Sequence, residues 1–259
     1  TEQISVSDYV ETEHIVNAFN ELLGRMRTLD ESRQEFVSNV SHELKTPITS
    51  MKVLADSLIS QENVPIELYK EFMTDIAEEI ERENKIITDL LSLVKMDKTS
   101  ANLNIENRNL NELIELILKR LRPIAKQRNI DVLYESAREV FAEIDEVKLT
   151  LAISNLVENA IKYNKEYGYV KVSLDADHQF ATIMVEDNGI GIPQEAQEHI
   201  FERFYRVDKS HSREIGGTGL GLAIARNAIL LHRGSIKIDS EEGQGTVFTV
   251  KIPIIYVSK

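Results

Sequence analysis

The stretch FVSNVSHELKTPI, residues 36–48, decides the fold of the first half of the chain. Its apolar residues recur at helical spacing and predict an amphipathic helix. They are Phe36, Val37, Val40, Leu44 and Ile48. His42 falls away from that seam, so we expect an exposed imidazole, with Glu43 next to it and Thr46 one turn along the same face. Because Pro47 has no N–H to donate, a local bend is expected just after the histidine.

The helical pattern extends on both sides of this stretch. Apolar residues continue in steps of three and four from Ile15 to Leu58, with the polar Arg33 interrupting the seam, as in a coiled coil or a helical bundle. The segment QENVP, residues 61–65, is typical of a turn, and a second apolar stripe follows it as far as Val94. Two such helices make a hairpin with too much apolar surface for a monomer, so we expect a homodimer with a four-helix bundle.

The second half of the chain follows a different pattern. Residues 97–109 are polar and rich in turn-forming residues, and we place the domain boundary there. Beyond it we expect three helices, at 110–128, 145–164 and 219–232. Short strands lie among them, and the last two close as a hairpin around Gly243. This arrangement predicts an α+β sandwich, a mixed sheet with helices on one face.

Composition narrows the classes of function. The 259 residues are enough for two domains, and the net charge of −13 disfavours nonspecific binding to nucleic acid. Cysteine is absent, which excludes disulfides, thiolate catalysis and cysteine metal sites. The sequence contains no run of about 18 apolar residues, the length that a membrane-spanning helix needs.

Polar side chains with ligand-binding chemistry cluster on the helix expected at 145–164. Asn155 and Asn159 are one turn apart, followed by Lys162 and Tyr163. Two amide oxygens on one helical face can ligate a hard cation such as Mg²⁺, and a nearby lysine can balance the charge of a phosphate.

Two glycine-rich stretches follow. In DNGIGIP, residues 187–193, the glycines allow close approach to a flat ligand, and the Asp187 carboxylate can accept hydrogen bonds from an exocyclic amine. GGTGLGL, residues 216–222, opens an apolar helix whose first N–H groups suit phosphate oxygens, although its spacing is not that of a P-loop. Between them, residues 200–216 carry aromatic and basic side chains, Lys209 and Arg213 among them, as a mobile lid does.

Each motif has a plainer explanation when it is taken alone. A single histidine on a helix is most often a surface residue, and two asparagines one turn apart are most often part of a polar helix face. DNGIGIP alone is compatible with an ordinary turn, and the basic residues of 200–216 with solvated surface charge. The order of the motifs along one chain is what makes the functional interpretation stronger.

With these motifs in place, the chain resembles the catalytic portion of bacterial sensor histidine kinases over nearly its whole length. The five matching boxes are SHELKTP, NLVENAIKY, DNGIGIP, IFERFYRVD and GGTGLGL. The resemblance implies a GHKL-type ATP-binding domain that follows a dimerisation and phosphotransfer domain. The implied divisions are the end of a HAMP-like signal-relay helix at 1–30, the dimerisation and phosphotransfer domain at 31–99, a linker at 100–108 and the ATP-binding domain at 109–256.

The resemblance implies roles in phosphoryl transfer for five residues. His42 is the residue phosphorylated from ATP, and Glu43 is the base that polarises its other ring nitrogen. Lys162 and Arg206 contact phosphates and stabilise charge in the transition state. Thr46 matches the position that orients water for dephosphorylating the partner protein.

It also implies a nucleotide pocket. Asn159 holds Mg²⁺ with Asn155 nearby, Asp187 recognises the adenine amine, and Tyr163 packs near the base. The glycines divide into two groups, with Gly189 and Gly191 in the pocket wall and Gly217, Gly219 and Gly221 at the hinge of the lid.

The implied partners are a second copy of the chain and the receiver domain of a response regulator. A transmembrane sensor precedes the catalytic portion in similar proteins, so we expect the cytoplasmic part of a membrane protein, with a soluble parent as the alternative. Two other functions remain open. An ATP-hydrolysing clamp of the gyrase and chaperone class is expected to carry a glutamate one turn before the magnesium-binding asparagine, where this chain has Asn155. The second alternative is a scaffold that binds nucleotide without turnover.

Overall fold

The computed structural model describes residues 10–60, 65–98, 103–207 and 217–256. Most of the turn predicted at 61–65 lies outside these ranges, and so does the second half of the predicted lid, which includes Lys209 and Arg213. The chain forms two compact units, Thr1–Glu83 and Asn84–Lys259. None of the helices in the described ranges is long and apolar enough to cross a membrane.

Two long helices account for the first part of the chain, as the periodicity predicts. Helix α1 spans Val10–Ile59 and runs through Pro47 without ending, while α2 spans Ile66–Lys98. Large apolar residues along α1 remain exposed, among them Leu22 at 57%, Val37 at 57% and Val53 at 62%. A single copy of α1 therefore does not bury its own apolar residues.

The second half of the chain has the mixed sheet that the sequence predicts. Its helices are α3 (Leu110–Gln127), α4 (Glu146–Lys162), the short α5 (Gln194–Gln197) and α6 (Gly221–Leu231). Its strands are β1 (Glu106–Asn109), β2 (Asp131–Ser136), β3 (Phe141–Ile144), β4 (Tyr169–Ala176), β5 (Phe180–Asp187), β6 (Ser235–Glu241) and β7 (Gly245–Pro253). The main sheet has the order β2-β4-β5-β7-β6, and β1 pairs with β3 in a separate two-stranded sheet. Only the β2–β4 pair of the main sheet is parallel.

Helices α3, α4 and α6 form the core with one face of the main sheet. Along β4 and β5 buried and more exposed residues alternate, as expected for a sheet that has one face towards the core. Side-chain caps fix the starts of α3 and α4. Asn109 accepts hydrogen bonds from the backbone N–H groups of Asn111 and Glu112 at α3, and Asp145 accepts one from Lys148 at α4.

The division between the units falls inside α2, earlier than the polar segment 97–109. Leu93 and Met96, near the end of α2, belong to the core of the second unit, because they are buried together with the helices and the sheet of that unit. Strand β1 also lies in that polar segment. Its sequence, ENRN, has no apolar alternation, so only the pairing with β3 makes it a strand.

Candidate functional site

Helix α4 carries the polar face that the sequence predicts. Asn155, Asn159, Lys162 and the capping residue Tyr163 are all partly buried. The side-chain amide of Asn155 donates to the carbonyl of Leu151 at 2.9 Å. Its oxygen faces the start of α6, since a Cβ placed on Gly221 would lie 2.7 Å from that oxygen. Glycine therefore lets the glycine-rich stretch approach the asparagine face closely.

Asp187 lies at the end of β5, where the strand enters DNGIGIP. Its carboxylate is only 9% exposed and accepts a hydrogen bond from the backbone N–H of Gly189 at 2.9 Å. Burial raises the pKa of the Asp187 carboxyl to about 6, against the lowering effect of hydrogen bonds from the backbone N–H groups of Gly189 and Thr246. At neutral pH the carboxylate is therefore mostly ionised, and it is able to accept a hydrogen bond from an amine.

The DNGIGIP loop is held against two neighbouring parts of the domain. The backbone N–H of Ile190 donates to the carbonyl of Tyr163 at 3.1 Å. On the other side, the N–H of Gly243 donates to the carbonyl of Ile190 at 2.7 Å. A Cβ on Gly189 would collide with the carbonyl of Tyr163, so this loop also uses glycine to reach the end of α4.

The glycine-rich stretch before α6 lies beside Lys162 and Tyr163. A Cβ on Gly217 would collide with the ammonium group of Lys162 and come within 3.4 Å of the Tyr163 hydroxyl. The Lys162 nitrogen lies 5.2 Å from the centre of the Tyr163 ring. The carbonyl of Gly219 accepts a hydrogen bond from the N–H of Phe204 at 2.9 Å, which links the first part of the segment expected to form the lid to the glycine-rich stretch that follows that segment.

A second cation acts on Tyr163. Burial raises the pKa of the Tyr163 hydroxyl, and the positive charge of Arg206 offsets part of that rise. Lys162 and Arg206 therefore both act at Tyr163, beside the glycine-rich stretch. Two cations with adjacent backbone N–H groups form a suitable surface for phosphate oxygens.

The motif SHELKTP lies in the first unit, on α1. His42 and Thr46 are exposed, and Glu43 is partly buried. The Thr46 hydroxyl donates to the backbone carbonyl of His42 at 3.1 Å, so the two residues lie one turn apart on the same face. The expectation of an accessible imidazole is confirmed.

A magnesium ion fits the chemistry of the α4 face only with help from a nucleotide. The described residues contain no group of three or more histidine, aspartate and glutamate side chains placed to hold a metal. The amide oxygen of Asn159 is a hard donor of the kind that Mg²⁺ accepts, but it is a single ligand. Phosphate oxygens and water would have to supply the remaining ligands, as is usual for Mg²⁺ bound with a nucleotide.

Two buried polar residues next to the site were missed by sequence analysis. Asp89, in α2, is 9% exposed, and Thr218, inside GGTGLGL, is 8% exposed. The Thr218 hydroxyl donates to the Asp89 carboxylate at 2.9 Å. The available signal was a carboxylate at helical spacing between Ile86 and Leu93, but its partner is 129 residues away in the sequence.

Two family models match the chain. Residues 32–99 match the His Kinase A (phospho-acceptor) domain, and residues 144–255 match the histidine kinase-, DNA gyrase B- and HSP90-like ATPase. The sensor histidine kinase WalK of Bacillus subtilis is 38% identical over 228 residues, which are 87% of this chain and 37% of WalK. The sensor protein kinase WalK of Staphylococcus saprophyticus is 41% identical over 227 residues, again 87% of this chain and 37% of the relative. The chain therefore spans little more than a third of these curated relatives.

Solved structures agree with the family models. The histidine kinase ThkA in complex with the response regulator protein TrrA matches 96% of this chain and 69% of its own, with a TM-score of 0.71 and 26% identity. The catalytic domain of ThkA matches 59% of this chain and 97% of its own, with a TM-score of 0.53 and 32% identity. Since both family models and nearly all of that catalytic domain find their counterpart here, the chain belongs to the sensor histidine kinases.

Proposed function

We propose that this chain is the catalytic part of a two-component sensor kinase that phosphorylates His42 from ATP. One observation carries the proposal: a single chain combines an exposed histidine in SHELKTP with a nucleotide-type site that gathers Asp187, Lys162 and the glycine-rich stretch. The first supplies a nucleophile, and the second supplies groups for an adenine and for phosphates.

In the proposed reaction, a lone pair on one ring nitrogen of His42 forms the new bond to the γ-phosphorus. The bond between that phosphorus and the β–γ bridging oxygen breaks, and ADP leaves with its electron pair. Glu43 accepts a hydrogen bond from the other ring nitrogen and so stabilises the positive charge that develops on the ring. Lys162 and Arg206 stabilise the negative charge on the phosphate oxygens.

Asn159 would hold the magnesium ion, with Asn155 one turn before it. When it is bound, Mg²⁺ neutralises charge that develops on the β- and γ-phosphate oxygens. Asp187 orients the adenine through its exocyclic amine, and Tyr163 packs near the base. The partial burial of these residues favours this role, because a low dielectric strengthens each contact to the nucleotide.

The kinase proposal is tested with γ-labelled ATP and Mg²⁺. We expect acid-labile, base-stable label on the wild-type protein and none on His42→Gln. His14→Gln is the matched control, because His14 is also exposed on α1 and lies outside the motif. Undiminished label on His42→Gln, or steady phosphate release without any protein label, would contradict the proposal, and the second result would favour the ATP-hydrolysing clamp.

We further propose that phosphorylated His42 passes its phosphoryl group to an aspartate on the receiver domain of a response regulator, and that Thr46 helps to dephosphorylate that partner. The relative ThkA was solved in complex with a response regulator, which supports this class of partner. Phosphotransfer from labelled protein to candidate receiver domains tests the first step. Equal lifetimes of the phosphorylated partner with the wild type and with Thr46→Ala would contradict the second.

A homodimer is the proposed working unit, supported by the match to the phosphoacceptor domain and by the exposed apolar residues of α1.

We also propose that the whole protein is anchored in a membrane by a sensor region, because residues 1–30 are similar to the end of a signal-relay helix. Fractionation of cells that produce the whole protein tests this. Recovery in the soluble fraction would contradict the anchor without affecting the kinase.

A further inference from the structure

The end of α2 is part of the ATP-binding unit. Ile86, Asp89, Leu93 and Met96 are buried at steps of three and four, so one face of this segment is covered. Leu93 and Met96 belong to the same core as the helices and the sheet. We call residues 84–98 the docked segment.

Asp89 is the polar residue on this buried face, and it reaches the glycine-rich stretch. Its carboxylate accepts the hydroxyl hydrogen of Thr218, and the Thr218 oxygen accepts a hydrogen bond from the backbone N–H of Leu220 at 3.2 Å. A hydroxyl that donates to a carboxylate directs a lone pair elsewhere, here to the N–H of the residue that caps α6. The Asp89 carboxylate thus orients a hydroxyl that occupies a backbone donor at the start of α6.

The groups around Asp89 act on its carboxyl in opposite directions. Burial raises the pKa of the Asp89 carboxyl, while the Thr218 hydrogen bond and the positive charge of Lys85 lower it. Lys85 itself is paired with Glu158 on α4 at 3.0 Å, and the Glu158 charge raises the pKa of Asp89 again. The docked segment therefore brings a buried carboxylate, whose neighbouring cation Lys85 is also paired with Glu158, to the stretch where phosphates are expected to bind.

We propose that Asp89 is a positioning residue that acts through Thr218 to weaken the binding of nucleotide phosphates at the glycine-rich stretch. This inference rests on the proposed function, in which that stretch receives the phosphates of ATP. Asp89 acts in two ways: its charge repels phosphate, and the Thr218 hydroxyl that it holds keeps the Leu220 N–H from a phosphate oxygen. By linkage, triphosphate binding must weaken the docking of the 84–98 segment by the same factor.

Binding of an ATP analogue with a non-hydrolysable γ-phosphate, in the presence of Mg²⁺, tests the proposal. We expect Asp89→Ala to bind the analogue about fivefold more tightly than the wild type, at the low end of typical coupling between sites. Adenosine has no phosphates, so its affinity is expected to stay unchanged. Asp239→Asn is the charge control, because Asp239 is exposed on β6.

Asp89→Asn keeps the size of the side chain and an acceptor for Thr218 but removes the charge. It therefore tests the role of the Asp89 charge even if the alanine variant is unstable. We expect this variant also to bind the analogue more tightly than the wild type, with adenosine again unchanged. Equal or weaker binding of the analogue by Asp89→Asn would overturn the inference. So would a parallel change in adenosine affinity, which indicates a general structural effect.

Hydrogen exchange provides the reciprocal measurement. Adding the analogue to the wild type is expected to increase exchange in the docked segment, whereas Asp89→Ala is expected to exchange rapidly there without it. Unchanged exchange on addition of the analogue would contradict the linkage. If the wild type binds neither the analogue nor adenosine, the proposed function itself fails, a result that differs from tight binding that is insensitive to Asp89.

Discussion

The two regions of the molecule differ in how much of their apolar surface is buried within a single chain. On α1, Leu22, Met26 and Val53 each expose more than half of their surface, while Leu156 and Ile183 in the ATP-binding unit expose 0%. The ATP-binding unit therefore closes a core within one chain. Helix α1 does not, and its stability is expected to depend on a second copy, because an isolated helix is only marginally stable in water.

A charge among the exposed apolar residues of α1 is expected to have the largest effect, because it would weaken the dimer. Ile48 is 56% exposed in the single chain, and in the proposed dimer Ile48→Glu places an unpaired carboxylate in the interface. An unpaired buried charge costs roughly 3–5 kcal/mol, so we expect dimerisation to weaken by more than about 100-fold. Light scattering across a dilution series measures this.

Ser50→Glu is the matched control, because Ser50 is exposed two residues further and points to a different side of α1. It adds the same charge, and we expect it to leave the mass unchanged. Dissociation by both variants to the same degree, or by neither, would mean that this seam is not the dimer interface.

Truncation inside the ATP-binding core should have the next largest effect. Leu156 on α4 is 0% exposed, so Leu156→Ala removes buried contacts and leaves a cavity. We expect a loss of about 2–5 kcal/mol in the free energy of unfolding of this unit, measured by urea denaturation. Leu22→Ala, on the exposed seam of α1, is expected to change that transition by less than about 0.5 kcal/mol. Equal losses would mean that the two regions do not unfold separately.

The same contrast explains what the sequence predicted well. Helix α1, helix α4 and the β6–β7 hairpin follow local periodicity and turn residues, which a single sequence displays directly. Gly189 of DNGIGIP and Gly221 of GGTGLGL also lie where the site is assembled, because their close approach to Tyr163 and Asn155 requires the absence of a Cβ.

Features that depend on distant partners could not be predicted in this way. Strand β1 exists through its pairing with β3, and the unit boundary falls inside α2 because Leu93 and Met96 are buried with the ATP-binding half. The hydrogen bond between Asp89 and Thr218 joins residues that are 129 positions apart in the sequence. Periodicity shows which face of a helix is buried, but not what covers it.

Adenine recognition is expected to depend on the second region alone. Asp187→Asn removes the ionised acceptor proposed for the adenine amine, and a hydrogen bond to a charged group contributes roughly 1.5–3 kcal/mol. We therefore expect ATP to bind about 10- to 100-fold more weakly, as measured by calorimetry. Asp131→Asn is the control, because Asp131 is exposed on β2.

Combining Asp187→Asn with Ile48→Glu tests whether the nucleotide site and the dimer interface are independent. We expect the double variant to bind ATP as weakly as Asp187→Asn alone, since effects at distant and independent sites are additive. A further loss of ATP affinity in the double variant would show that the nucleotide site depends on the dimer.

Acid should destabilise the ATP-binding unit through His232, which is 1% exposed. Its Nε2 accepts a hydrogen bond from the N–H of Asp145 at 2.9 Å, so Nδ1 carries the proton and donates to the carbonyl of Ala228 at 2.7 Å. Burial lowers the pKa of His232, although the Ala228 hydrogen bond and the negative charge of Asp145 oppose the shift. The imidazole is therefore neutral in the folded state.

Below the ordinary histidine value of about 6.5, the unfolded chain takes up a proton that the folded His232 does not. Its contribution to stability is complete above that pH and is lost as pH falls, by at most about 1.4 kcal/mol per pH unit. Asp187, with its pKa raised to about 6, has the opposite sign, because its folded form takes up a proton first. The difference in slope between the wild type and His232→Gln, from urea denaturation between pH 7 and 5, isolates the histidine. Identical slopes would contradict the assignment.

The smallest effect is expected at the ion pair between the docked segment and α4. Lys85 and Glu158 are 3.0 Å apart, but their side chains are 58% and 39% exposed, so water screens the pair. Lys85→Ala is therefore expected to lower the free energy of unfolding of the ATP-binding unit by less than about 1 kcal/mol. Leu93→Ala, which removes a side chain that is 1% exposed in the same segment, is expected to cost about 2–5 kcal/mol. A double-mutant cycle with Glu158→Ala gives the coupling energy of the ion pair. A coupling energy larger than the stability lost in Leu93→Ala would mean that charge, rather than apolar burial, holds the end of α2 in place.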